Sequence, residues 1–211
     1  MIINDLYFKY NDDIIFDNIS INIKNNVTCI IGPSGSGKTT LAQIMFLNKN
    51  NILKTALLNK NVILNKSKSS NKQNIIEYFG NTECLNNKYL MKLVDYLADD
   101  YRFIIIDEVF SEFSNDIKTK IVKYAKKYNI FIVYFTNDIE NSLYSDYMFV
   151  IGLRKILIEG KTTSVLKEEK ILKRLGIGLP IIVDLSAQLK SYNVVNNISY
   201  NVEDLVDSIW K

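Results

Sequence analysis

Histidine is absent from this 211-residue chain. That excludes acid–base catalysis and metal ligation by imidazole. The two cysteines, Cys29 and Cys84, are single and far apart. They fit neither a disulfide framework nor a zinc site, so a reducing cytoplasm is the default. Cys29 lies in an apolar run and is expected in the core. The N-terminus shows no basic leader followed by an apolar block. No stretch approaches the ~20 apolar residues of a spanning helix, so any work at a membrane is expected from its aqueous side. A net charge of +3 is too small to argue for nucleic acid or an acidic surface. Arginine is also scarce: among 26 basic residues, only Arg102, Arg154 and Arg174 carry a guanidinium.

Apolar residues make up 47% of the chain and charged residues 23%, enough for a soluble core in one domain with or without an appendage. Ile2 to Tyr10 and Ile14 to Ile23 alternate around a turn at "NDD", the pattern of half-buried strands. Val27 to Ile31, "RFIIIDE" (Arg102 to Glu108) and "NIFIVYFTND" (Asn129 to Asp138) are short apolar runs that suit strands buried on both faces. Helical spacing covers Thr39 to Leu47, Leu90 to Leu97 with Asn87 as its cap, and Asp116 to Tyr128. "NKSKSSNKQN" (Asn65 to Asn74) reads as an exposed loop. Strands are expected at Tyr147 to Ile151 and Lys155 to Ile158, with a turn at Glu159-Gly160. From Ser164 the tail is amphipathic and helical, broken at Gly176 to Pro180. Strands alternating with helices predict an α/β fold with a largely parallel sheet behind a β entry region.

"IIGPSGSGKTTL" (Ile30 to Leu41) carries the chemistry. Gly32 to Thr39 matches G-x-x-x-x-G-K-[ST] in full, between a buried strand and a helix. Gly35 and Gly37 let the backbone wrap phosphate oxygens, and the helix N-terminus presents unpaired amides. Lys38 suits the β- and γ-phosphates and the Thr39 hydroxyl suits Mg²⁺. The loop as a whole, with Pro33, Ser34, Ser36 and Thr40, is a candidate ATP phosphate site of the P-loop NTPase kind. "FIIIDE" supplies acids: Asp107 as a magnesium ligand and Glu108 as the candidate catalytic residue that polarises water.

The stretch "FDNISINIKNNVTCIIGPSGSGKTTL" resembles the entry to the ATP-binding cassette (ABC) ATPases. "YFKY" resembles their adenine-stacking segment, with Tyr10 at the matching position. "IFIVYFTNDIENSLYSDYMFVIGLRKILIEGKTTSVL" is similar to the late core of that family, with Asn137 at the switch position. The tail, "ILKRLGIGLPIIVDLSAQLKSYNV…NVEDLVDSI", resembles the C-terminal extension of energy-coupling factor (ECF) transporter ATPases. The resemblance implies an ABC ATPase core over residues 1–165, with its helical subdomain truncated (48–97), and a tail over 166–211. It also implies Mg²⁺ and ATP as cofactors and a second ABC ATPase subunit as partner, in a homo- or heterodimer. A transmembrane transporter subunit would complete it, at the inner, cytoplasmic face of the cell membrane.

Departures from the pattern bear on turnover. The interval from Lys38 to Asp107 is far too short for the family's full helical insert. The loop glutamine position falls on Leu64. The L-S-G-G-Q signature position reads "ECLNN" (Glu83 to Asn87), with no glycine and with an added acid. The D-loop aspartate position is Ser114. At the switch, Asn137 replaces a histidine and cannot carry charge or relay a proton. The phosphate loop (Walker A, Gly32 to Thr39) and the acid-ended strand (Walker B, Phe103 to Glu108) stay intact. The sequence therefore supports a transporter ATPase subunit, with turnover left open and a regulatory or structural subunit that binds nucleotide with little hydrolysis as the alternative. A small P-loop kinase fits poorly, because kinases gather several arginines around the transferring group.

Overall fold

Alternation near the N-terminus produces a hairpin. In the computed structural model, which describes residues 1–48, 53–61 and 69–210, strands β1 (Ile2–Tyr10) and β2 (Asp13–Asn22) pair antiparallel. Asn11 turns between them at φ 50°, a backbone state that asparagine tolerates better than most residues. Ile3, Phe16, Ile19 and Ile21 form the hairpin's buried face.

Six further strands build the main sheet: β3 (Val27–Ile31), β4 (Thr55–Leu58), β5 (Phe103–Asp107), β6 (Phe131–Thr136), β7 (Tyr147–Gly152) and β8 (Lys155–Lys161). Their order is β4-β5-β6-β3-β7-β8. The first five in that order run parallel, and β8 closes the edge antiparallel to β7. Every residue of β3 and β5 is buried, as expected for strands covered on both faces. Their side chains alternate between two cores. Phe103 and Ile105 pack with the hairpin and with helix α1 (Lys38–Leu47). Ile104 and Ile106 pack on the opposite face.

That second face is covered by α2 (Lys72–Phe79), α3 (Asn81–Asn86), α4 (Lys88–Ala98) and α5 (Asn115–Tyr128). Ile75, Phe79 and Cys84 of the two short helices join the same core as Leu90, Leu93 and Val94 of α4. Asn87 caps α4, its Oδ1 accepting from the N–H groups of Tyr89 and Leu90 at 3.0 Å each. Of the exposed loop expected over Asn65 to Asn74, residues 65–68 lie outside the described residues, and its end is helical instead, because α2 begins at Lys72. Its buried anchors, Ile75 and Phe79, lie beyond the polar tract, and Lys72 pairs with the buried Asp95 of α4.

Two features differ from the sequence expectation. Strand β4 carried no periodic signal, since Thr-Ala-Leu-Leu is too short to show alternation. The last hairpin turns at Leu153 and Arg154, at φ 48° and 67°, while Glu159 and Gly160 lie inside β8 opposite Phe149 and Met148. A two-residue turn needs positive φ at both central positions, and here non-glycine residues supply it.

The tail forms α6 (Thr162–Val165), α7 (Glu169–Arg174), α8 (Ile181–Ser191) and α9 (Val202–Ile209). Gly176 ends α7 at φ 70°, with Ile177 N–H donating to Leu172 O and Gly176 N–H to Lys173 O. These are the paired bonds of a glycine-terminated helix. A second break, between α8 and α9, adds to the expected one. Ser186 Oγ bridges it by accepting from Ser199 N–H at 3.1 Å. Leu172 and Val183 are buried in the main core, so the tail is anchored to the body of the protein. Among the described residues, no helix is long and apolar enough to cross a membrane.

Candidate functional site

Parallel strands deliver their loops to one edge of the sheet, where ligands of α/β proteins bind. Three such loops meet here. The loop from Gly32 to Gly37 follows β3 and opens α1. Asp107 ends β5 and Glu108 follows it. Asn137 follows β6, whose Thr136 pairs with Ile31 of β3.

Sterics explain the glycines. A Cβ on Gly32 would lie 2.4 Å from Ile151 O and 2.7 Å from Ser36 Oγ. One on Gly37, already at φ 90°, would meet Ile15 and Phe16 at 2.9 Å. The N-terminal hairpin thus presses on the loop from the side. Helix α1 has no side-chain cap and no acid in its first turn, so its leading N–H groups keep their positive character. Ser36 Oγ is buried without a hydrogen-bond partner. An uncompensated polar atom inside such a loop fits an anion that would occupy it. Ser34 and Gly35 are exposed, and Pro33 and Thr40 are partly buried.

Lys38 is only 5% exposed. Its Nζ curls back on the loop, donating to Gly32 O at 2.8 Å and Pro33 O at 3.0 Å. Burial lowers its pKa, and the nearby Glu108 and Asp107 partly restore it. Asp107 is likewise buried. Desolvation raises its pKa, a hydrogen bond from Thr39 opposes the rise, Glu108 adds to it, and Lys38 and Lys60 oppose it. One long contact, 3.4 Å from Thr39 Oγ1, leaves most of this carboxylate's acceptor capacity free. Among the described residues no cluster of three or more acids and thiols could hold an ion alone. Magnesium does not need one, since it usually takes one or two protein oxygens and fills the rest with phosphate and water. The hydroxyl and carboxylate present fit that role.

Glu108 adopts a left-handed backbone, φ 61°, which is strained for a glutamate. Its N–H donates to Phe135 O at 3.1 Å, and its Oε2 lies 3.0 Å from Lys60 Nζ. Lys60 carried no sequence signal, because it follows the unrecognised strand β4. Asn141 was also missed. It is buried, and its Nδ2 donates to Ser111 Oγ, Thr136 Oγ1 and Asp138 Oδ2 at 3.0–3.2 Å. That amide ties the loop after β5 to the loop bearing Asn137. Asn137 itself is exposed.

The remaining sequence candidates sit on other elements. Tyr10 ends β1, is 52% exposed, and meets Phe8 edge-on at 5.0 Å. Glu83 to Asn87 forms the end of α3 and the cap of α4. The first amides of α4 are therefore already taken by Asn87, whose Nδ2 donates to Glu112 O at 3.0 Å. Ser114 caps α5, accepting from Ile117 N–H at 3.4 Å. Leu64 lies outside the described residues.

Comparison with known proteins agrees with this geometry. Residues 16–129 match the family described as ABC transporter. The energy-coupling factor transporter ATP-binding protein EcfA of Malacoplasma penetrans is 30% identical over 128 residues, covering 59% of this chain and 45% of that protein. The chain thus matches less than half the length of that relative. The zinc import ATP-binding protein ZnuC of Ehrlichia chaffeensis is 26% identical over 211 residues, covering 81% of this chain and 87% of ZnuC. Among solved structures, CbiO1 from Clostridium perfringens, part of the ABC transporter complex CbiONQ, superposes with a TM-score of 0.68 at 19% identity. That match covers 83% of this chain and 94% of CbiO1, and at this identity it speaks for the fold alone. The family match begins inside the hairpin that braces the phosphate loop and runs past Walker B, so the chain belongs to the ABC transporter family.

Proposed function

We propose that this chain is a Mg-ATP-binding subunit of an ABC transporter of ECF type. It works beside a second ATPase subunit and a transmembrane subunit, at the inner face of the cell membrane. The convergence of Lys38, Thr39, Asp107 and Glu108 at one sheet edge carries the reading. The ECF assignment is supported by the likeness to EcfA and by the tail from Ile171 to Ile209. The core is taken as residues 1–165, with α2 and α3 as a reduced helical subdomain within 48–97, and the tail as 166–211.

In this reading Lys38 exchanges its two loop carbonyls for β- and γ-phosphate oxygens. The amides opening α1, with Ser36 Oγ, complete the phosphate cradle. Thr39 and Asp107 hold the magnesium, Glu108 takes the proton from an attacking water, and Tyr10 offers a face to adenine. Bound Mg²⁺ supplies charge neutralisation to the phosphates. A second reading, a nucleotide-binding regulatory subunit with little turnover, is favoured by one observation: Asn87 already occupies the α4 amides.

Calorimetry tests the binding claim. Lys38→Ala removes a charge-assisted contact and should weaken Mg-ATP by about 1.5–3 kcal/mol. Equal affinity in wild type and variant would refute the phosphate assignment.

A further inference from the structure

Lys60 is the one residue at this edge whose place comes from an unrecognised strand. In the parallel ladder Leu58 of β4 lies opposite Ile106 of β5. Continued two residues beyond the strand ends, that register sets Lys60 beside Glu108, and Nζ–Oε2 is 3.0 Å. The ammonium also acts on Asp107, opposing the rise in its pKa. Lys60 is 63% exposed and Glu108 43%, so the pair is worth little to stability. A long, exposed lysine beside a strained carboxylate is free to choose another partner.

The geometry points to Lys60 as a second cation of the nucleotide site, one that takes the γ-phosphate and so separates nucleoside triphosphate from diphosphate. The inference rests on the proposed Mg-ATP site. Lys38 donates to the loop carbonyls and would reach the β-phosphate of either nucleotide and the γ-phosphate of a triphosphate. A γ-phosphate extends from there toward the end of β5, where Asp107 and Glu108 are both acidic and Asn137 is neutral. Lys38 and the magnesium ion would offset part of that charge, but the extra phosphate would still stand beside two carboxylates. Lys60 stands beside them, and moving from Glu108 Oε2 to a phosphate oxygen needs only rotation of its own flexible stem. The same move would release Glu108 from its ion pair when a triphosphate arrives, leaving the carboxylate open to water. A diphosphate would not draw Lys60 away.

The test is equilibrium calorimetry with Mg-ADP and with the magnesium complex of a β,γ-imido ATP analogue, which keeps hydrolysis out of the measurement. Lys60→Gln should cost the triphosphate roughly three- to tenfold in affinity, an exposed charge-assisted contact, and change ADP by less than about twofold. Lys60→Arg should retain most of the triphosphate preference, because it keeps the charge. Equal losses for both nucleotides, or none for either, would show Lys60 to be a surface ion pair only and overturn the inference. Failure of the wild type to bind either nucleotide would overturn the Mg-ATP site itself, and this inference with it.

Discussion

Thr39 Oγ1 donates to Asp107 Oδ1 across 3.4 Å, joining the first turn of α1 to the last residue of β5. The two are 68 positions apart in the chain. The proposed magnesium site lies here, with a hydroxyl on one side and an under-coordinated carboxylate on the other.

Replacing either partner should uncouple nucleotide binding from magnesium. Thr39→Val and Asp107→Asn should each reduce the gain in ATP affinity on adding Mg²⁺ by about tenfold or more. Calorimetry with and without a chelator measures it, and an unchanged gain would refute the assignment. Asp107 has a second expected signature. Its folded pKa is raised, mainly by desolvation, so the folded state binds this proton more tightly than the unfolded one. Its ionisation then costs stability as pH rises from the ordinary carboxylate value through the raised one. Asp107→Asn should therefore raise the urea midpoint of the nucleotide-free protein at neutral pH, and a lowered midpoint would contradict this.

Gly37→Ala should destabilise the chain. The added methyl would meet Phe16 and Ile15 at 2.9 Å on a backbone at φ 90°. Overpacking and an unfavourable φ together cost about 1–3 kcal/mol. Urea denaturation reads this directly, and wild-type stability would mean that the hairpin does not brace the loop.

Turnover by the purified chain alone should be slow. In the family a site is completed by the signature of the opposite subunit. At the position the resemblance implies for it, Glu83 to Asn87, the amides of Tyr89 and Leu90 that follow are already bonded to Asn87. Each missing preorganised contact costs about 10²–10³ in rate, and Asn137 removes another. We expect binding without appreciable phosphate release, with activity gained only beside an intact ATPase. Rapid release by the isolated chain, abolished by Glu108→Gln, would contradict this.

The tail should carry subunit pairing. Ile181, Val202 and Trp210 are 74%, 64% and 83% exposed, whereas Leu172 and Val183 hold the tail to the core. Ile181→Asp combined with Val202→Asp should weaken association in light scattering while leaving the thermal midpoint within a few degrees. Unchanged association would remove these helices from the interface.

The glycine loop was legible because its residues are contiguous, so spacing alone reveals it. Val27 to Ile31 and Phe103 to Asp107 were legible because strands covered on both faces need unbroken apolar runs. Strand β4 was not, since four residues at a sheet edge hold no period. Nor was the Leu153–Arg154 turn, where the pairing of Gly152 with Lys155 imposes positive φ on residues that do not favour it. Asn141 gave no signal either, because Ser111, the acceptor through which it ties its own loop to the one after β5, is brought near only by folding.

Sequence by itself determined the glycine loop and its spacing, the two acids after "FIII", the alternation of strand and helix, and the residues that stand at "ECLNN" and Asn137. All of these reside in residue type and short spacing. Only the tertiary structure decided that Lys60 stands at Glu108, that Asn87 fills the α4 amides while anchoring to Glu112, and that Leu172 and Val183 bind the tail to the core. Those relationships depend on strand register and helix packing, which juxtapose residues through a burial pattern summed over the whole chain rather than through any local run of it.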